Sequence, residues 1–132
     1  MITWSPQFES GDELVDTQHQ VLIDKLNELE MLLEGPLPSK QACDQLLGFL
    51  GDHVAGHFSY EEDCMHRARC PAHARNKHAH KAFLDIFAHF KARYEQEGPS
   101  RELLRALQVA ASQWTETHIL TLDVQLRPCL AR

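Results

Sequence analysis

The chain has 132 residues, 43% hydrophobic and 24% charged, which suits one domain with a real core and excludes a disordered segment. A formal net charge of −6 argues against nucleic acid or an anionic membrane as the main partner. The start, Met1-Ile2-Thr3-Trp4, lacks a basic segment followed by an apolar run, and no stretch approaches membrane-spanning length; Cys43, Cys64, Cys70 and Cys129 form no CxxC pair, so the expectation is a cytoplasmic protein with reduced thiols.

In chain order, residues 1–15 read as an irregular N-terminal arm carrying Trp4, Pro6 and Phe8. Four helical segments follow, at about 16–34, 39–67, 71–97 and 100–120, with a short C-terminal tail. The breakers between them are Gly35-Pro36-Leu37-Pro38-Ser39, Cys70-Pro71 and Gly98-Pro99-Ser100, and Pro128 ends the last segment. Long helices with short connections predict an all-α fold, an antiparallel up-down-up-down four-helix bundle forming one domain over 1–132.

Spacing of three and four residues picks out the inward stripe of each helix. The first stripe is Val15, His19, Leu22, Leu26, Leu29 and Leu33; the second is Leu46, Leu50, His53, His57, Glu61 and Cys64. The third is His73, Asn76, His80, Phe83, Phe87, Phe90 and Tyr94; the fourth is Leu103, Leu107, Ala110 or Ala111, Trp114 and His118. Every stripe carries polar residues. An unpartnered buried polar group costs about 1–3 kcal/mol and a bare charge more. A single core histidine is usually just a hydrogen-bonded residue. His19, His57, Glu61, Asn76, His80 and His118, drawn from four converging helices, call for a shared partner. A metal ion satisfies imidazole nitrogens and carboxylate oxygens together.

At this point the residues resemble a known family over nearly the whole length. Trp4-Ser5, Phe8, Gly11-Asp12 and Val15-Asp16-Thr17-Gln18-His19-Gln20 look like the opening motif of the bacterial hemerythrins. His57-Phe58-Ser59-Tyr60-Glu61-Glu62 with Met65, then His80-Lys81-Ala82-Phe83, then Trp114 and His118-Ile119 with Asp123 follow in the family's order. The resemblance implies an oxygen-binding four-helix bundle with a non-haem di-iron centre, two iron ions as cofactor, and O2 or another small diatomic or peroxide as ligand. It implies that His19 and His57 serve one iron, that His80 and His118 serve the other, and that Glu61 and Asp123 bridge them. Asp123 lies roughly 140° around an ideal helix from His118, so the helix must end or distort near Ile119–Leu122.

The chain departs from the family pattern at Asn76, four residues before His80, where the family places a histidine. The second iron would then be weakly bound or absent, unless Asn76 lends its amide oxygen, a water fills the gap, or His73, one turn away, swings in. His53, one turn before His57, reads as pocket lining rather than a ligand.

The leading expectation is reversible O2 binding for storage, delivery or sensing, in a dry pocket that Leu22, Leu26, Phe83, Phe87 and Trp114 could supply. The alternative is an enzyme acting on O2, peroxide or NO, because losing one ligand opens a second coordination position. A third reading is a zinc or mononuclear site at Cys64-x-His66-x3-Cys70-x2-His73, whose spacing resembles structural zinc patterns loosely.

Overall fold

The computed structural model describes residues 1–131; Arg132, the last residue of the expected domain, lies outside the described residues. Four long helices make the bundle: α1 (Glu13–Leu32), α2 (Lys40–Arg67), α3 (His73–Glu97) and α4 (Arg101–Thr121). Each helix touches its neighbour in sequence, and α1 also touches α4, closing an antiparallel ring. Among the described residues there is no strand, and no helix is long and apolar enough to cross a membrane.

The helix boundaries follow from caps. Asp12 accepts a hydrogen bond from the Val15 amide, so α1 starts at Glu13, ahead of the expected Asp16. Ser39 and Ser100 cap α2 and α4 in the same way, through the Ala42 and Leu103 amides. Gly98, at φ 76°, ends α3 in a conformation that side chains disfavour. The arm is ordered by packing. Ile2 exchanges backbone hydrogen bonds with the Asn27 amide side chain, and Trp4 stacks on the buried Phe8.

After α4 the chain turns. Leu122 caps α4 with φ stretched to −116° while staying in the right-handed region, a 3₁₀ turn covers Asp123–Gln125, and α5 (Leu126–Leu130) folds back over the α2–α3 connection. That fold-back corrects the expectation of four reduced thiols. Cys70 and Cys129 are joined as a disulfide, while Cys43 and Cys64 remain free and buried. The partners lie 59 residues apart and meet only because the short α5 returns to the bundle end, which no local spacing signals.

Three apolar clusters frame the interior. One runs along the α1–α4 interior from Leu22 to Leu33 and Leu103 to Ala111; a second gathers Val15, Cys64, Met65, Ala72, Leu126 and the disulfide. The third seats Ile2 and Phe8 on Ile23 and Ile119. Between the first two lies a band of fully buried polar side chains.

Candidate metal centre

The band contains His19 from α1, His57 and Glu61 from α2, Asn76 and His80 from α3, His118 from α4 and Asp123 from the turn beyond it; all are buried, none more than 5% exposed. Asp123 arrives there because α4 stops at Thr121 and the chain tightens after Leu122 into a 3₁₀ turn. The expected distortion therefore falls where the angular offset requires it.

The two carboxylates divide their oxygens. Glu61 Oε2 faces His19 Nε2 at 3.4 Å and His57 Nε2 at 3.8 Å, while its Oε1 faces His80 Nε2 at 3.1 Å. Asp123 Oδ2 lies 2.9 Å from His19 Nε2, and its Oδ1 lies 3.0 Å from His118 Nε2. Two donor groups result, His19–His57–Glu61–Asp123 and Glu61–His80–His118–Asp123, each with its ligand atoms within 4.8 Å of one another. They share both carboxylates.

The close pairs are not well-formed hydrogen bonds. Nε2 of His19, His80 and His118, Glu61 Oε2 and Asn76 Oδ1 are buried without a hydrogen-bond partner. Buried polar atoms are normally satisfied, and this concentration of orphans in one place is what a cation would relieve. Imidazole nitrogen with carboxylate oxygen is also a donor set that suits iron and its neighbours in the transition series.

Surrounding side chains orient the imidazoles. His57 Nδ1 donates to Gln18 Oε1 at 2.7 Å, and His80 Nδ1 donates to Glu62 Oε2 at 2.9 Å. With Nδ1 protonated, each ring turns its Nε2 lone pair inward. Phe58 lies flat on His80, with centroids 3.8 Å apart, and Trp114 lies flat on His118 at 4.2 Å.

Charge in the cluster is unevenly held. Burial disfavours the His19 cation, but contacts with Asp123 and Glu61 outweigh it and raise the pKa to about 9. Burial and the neighbouring His19 push His57 down to about 3. Burial also works against a charge on His80, yet Glu61 and Glu62 raise it. Asp123 is disfavoured as an anion by burial, but His118 and His19 hold it well below the usual carboxylate range.

Asn76 occupies the middle of the second group. Its Nδ2 donates to Glu61 Oε1 at 2.8 Å and Asp123 Oδ1 at 3.1 Å and touches Met65 Sδ at 3.3 Å. The two oxygens it engages are those turned toward His80 and His118.

A family model described as the Hemerythrin HHE cation binding domain matches residues 10–130. The chain belongs to the hemerythrin family. A bacteriohemerythrin of Stenotrophomonas maltophilia is 25% identical over 119 residues, 90% of this chain and 74% of that protein. One from Pseudomonas aeruginosa is 23% identical over 118 residues, 89% of this chain and 74% of that one. In fold, the chain is similar to a wild-type hemerythrin crystal structure at TM-score 0.83, 22% identity, covering 100% of this chain and 99% of the other.

Other residues singled out in the hemerythrin sequence fall around this centre. His53 Nε2 bonds the Gln18 carbonyl at 2.8 Å, one layer behind His57, and joins neither donor group. His73 opens α3 with its ring 5.4 Å from His66, across the connection and outside both groups. Leu22, Leu26, Phe83 and Phe87 belong to the large apolar cluster, with Trp114 packed against it. The zinc alternative loses Cys70 to the disulfide. Gln18, Glu62 and Phe58 carry the orienting contacts; all three stand inside the resemblance motifs, but a bond between helices has no spacing to betray it.

Proposed function

We propose that this hemerythrin domain holds a pair of iron ions among its four helices and binds O2 reversibly there. The observation that carries the reading is the division of Glu61 and Asp123, each with one oxygen toward each pair of imidazoles. Two cations sharing two carboxylates have their mutual repulsion offset by the bridging charge. In this reading His19 and His57 hold one iron, and His80 and His118 the other. A bound iron pair supplies the electrons on which reversible O2 binding draws.

The chain supplies the rest. Gln18 and Glu62 fix the orientation of His57 and His80. Phe58 and Trp114 stack on His80 and His118, and Leu22, Leu26, Phe83 and Phe87 belong with Phe58 to the apolar cluster against which Trp114 packs. That lining offers no proton donor or nucleophile, which suits a ligand that is held and released.

Asn76 favours a second reading. It gives the His80/His118 half two imidazoles, as the His19/His57 half has, and leaves room for a further small ligand. Positions open on both halves suit a redox enzyme acting on O2, peroxide or NO.

The deciding measurement is iron content together with the visible spectrum of reduced protein exposed to air and then purged with argon. Reversible binding predicts about two irons per chain and a colour that disappears on purging. Bleaching coupled to consumption of a reductant supports the enzyme, and absence of any iron uptake overturns both readings. Asn76→His should raise the iron content or shift the spectrum; if it does neither, Asn76 is not the weak point of the site.

A further inference from the structure

Asp123 does not belong to α4. It opens the 3₁₀ turn on a C-terminal tail that must be held against the bundle for its carboxylate to reach both imidazole pairs. The tail's covalent fastening is the Cys70–Cys129 disulfide, with Cα atoms 5.5 Å apart, inside the usual range for such a bridge. Both ends of that bridge lead to the metal centre. From Cys129 the chain runs back through the buried Leu126 to Asp123. From Cys70, the backbone amide bonds the Met65 carbonyl, and Met65 Sδ meets the Asn76 amide that holds Glu61 and Asp123 together.

The bridge also faces outward. A surface cavity of about 260 Å³ is lined by Cys70, Pro71, Gln125, Pro128 and Cys129. Cys70 and Cys129 are themselves only 5% and 9% exposed, so a thiol reagent would reach the bridge through this pocket, which Cys43 and Cys64 do not line.

We propose that Cys70–Cys129 is a reversible thiol–disulfide site for a dithiol reductant, and that its redox state sets how firmly Asp123 is held at the metal centre. A thiolate of the reductant attacks one sulfur of the bridge, forming a mixed disulfide and expelling the other cysteine as a thiolate. The reductant's second thiolate then displaces the first cysteine. The reductant loses two electrons and two protons and becomes a disulfide; Cys70 and Cys129 gain both and become thiols. A disulfide oxidant of the same class runs the reaction backwards. Once the bridge is open, the tail is held by its packing, by the contacts of Asp123 with His19, His118 and Asn76, and by those of Arg75 with Gln125 and of Arg127 with the Pro6 and Glu9 carbonyls. The part concerning Asp123 rests on its reading as a metal ligand.

The test uses the full chain, oxidised or treated with dithiothreitol that is then removed under nitrogen. Alkylation in denaturant should label two thiols before treatment, Cys43 and Cys64, and four after it. In the metal-free protein, amide exchange over residues 122–130 should quicken on reduction while the middle of α2 and α3 stays protected. In protein loaded with ferrous ion, release to a chelator should quicken about 10-fold or more on reduction, the scale expected when a ligand loses its support. Cys70→Ser/Cys129→Ser should release at the fast rate whatever the treatment. Four labelled thiols in the untreated chain, or unchanged exchange over 122–130, overturn the proposal. Equal release rates in the two states overturn the coupling while leaving the metal site standing; failure of the oxidised protein to take up metal overturns the ligand reading itself.

Discussion

At the scale of single residues, Asn76 has two opposed roles. In the metal-free protein it is the donor that keeps two buried carboxylates side by side. When metal is present, the same oxygens are needed as ligands. Asn76→Leu keeps the volume and removes the donor, so the metal-free protein should lose about 1–3 kcal/mol in urea unfolding, the cost of leaving buried acceptors unpaired. A loss under about 0.5 kcal/mol would mean that the histidines alone compensate the two acids. Gln18 offers a cleaner case, because it touches His57 and no carboxylate of the centre. Gln18→Leu frees His57 to rotate and change tautomer, and metal affinity should fall about 10–100-fold by competition with a chelator. An unchanged affinity would show that packing against Phe58 already fixes the ring.

At the scale of elements, the site is a problem of register. Helices of 20 to 28 residues bring one or two ligands each to a single level, so where a helix begins matters less than how firmly it is held. Ser100 caps α4 at the end opposite His118. Ser100→Ala should therefore cost about 1 kcal/mol of stability and leave metal uptake intact. Lost uptake would mean that α4 shifts along its axis when the cap goes.

The helices and their inward ligands were legible in the chain, because a 3–4 periodicity and a few breakers are local signals. His19, His57, Glu61, His80 and His118 all lie on stripes readable by eye, and Asp123 was reachable through the resemblance and an angular argument. The buried face of α2 departs by one residue from the expected stripe at two places: Leu47 and Val54 are buried, whereas Leu46 and His53 are only partly so. Ambiguity of that kind is expected where apolar residues are adjacent. The start of α1 was hidden behind Asp12, which the cap turns from arm into helix. What was not legible depends on contacts between segments far apart in sequence. The Gln18–His57 and Glu62–His80 bonds are of this kind, and so is the pairing of Cys70 with Cys129.

At the scale of the whole molecule, the bundle accepts a charged band between two apolar clusters, and its metal-free stability must depend on pH. His19 sets the alkaline side. Its pKa is about 9 in the folded chain against 6.5 unfolded, so the folded state binds the proton more tightly. Its contribution is complete below 6.5 and is lost as pH rises through about 9. His57 sets the acid side with the opposite sign. Folding lowers it from 6.5 to about 3, so below 6.5 the unfolded chain takes up a proton that the folded chain refuses, and stability falls. Asp123 adds to the acid loss, since its depressed folded value stabilises only above the ordinary carboxylate range. The metal-free protein should therefore be most stable near neutrality or slightly below, with urea midpoints declining toward both pH of about 5 and pH of about 9. His19→Gln should flatten the alkaline limb and also soften the acid limb, since His19 helps depress both His57 and Asp123; an alkaline decline of the same size in that variant would assign it to another group. Loading with metal makes the sharper comparison. A cation at the centre takes the place of the His19 proton, so the loaded protein should keep its stability through the range in which the metal-free protein loses it.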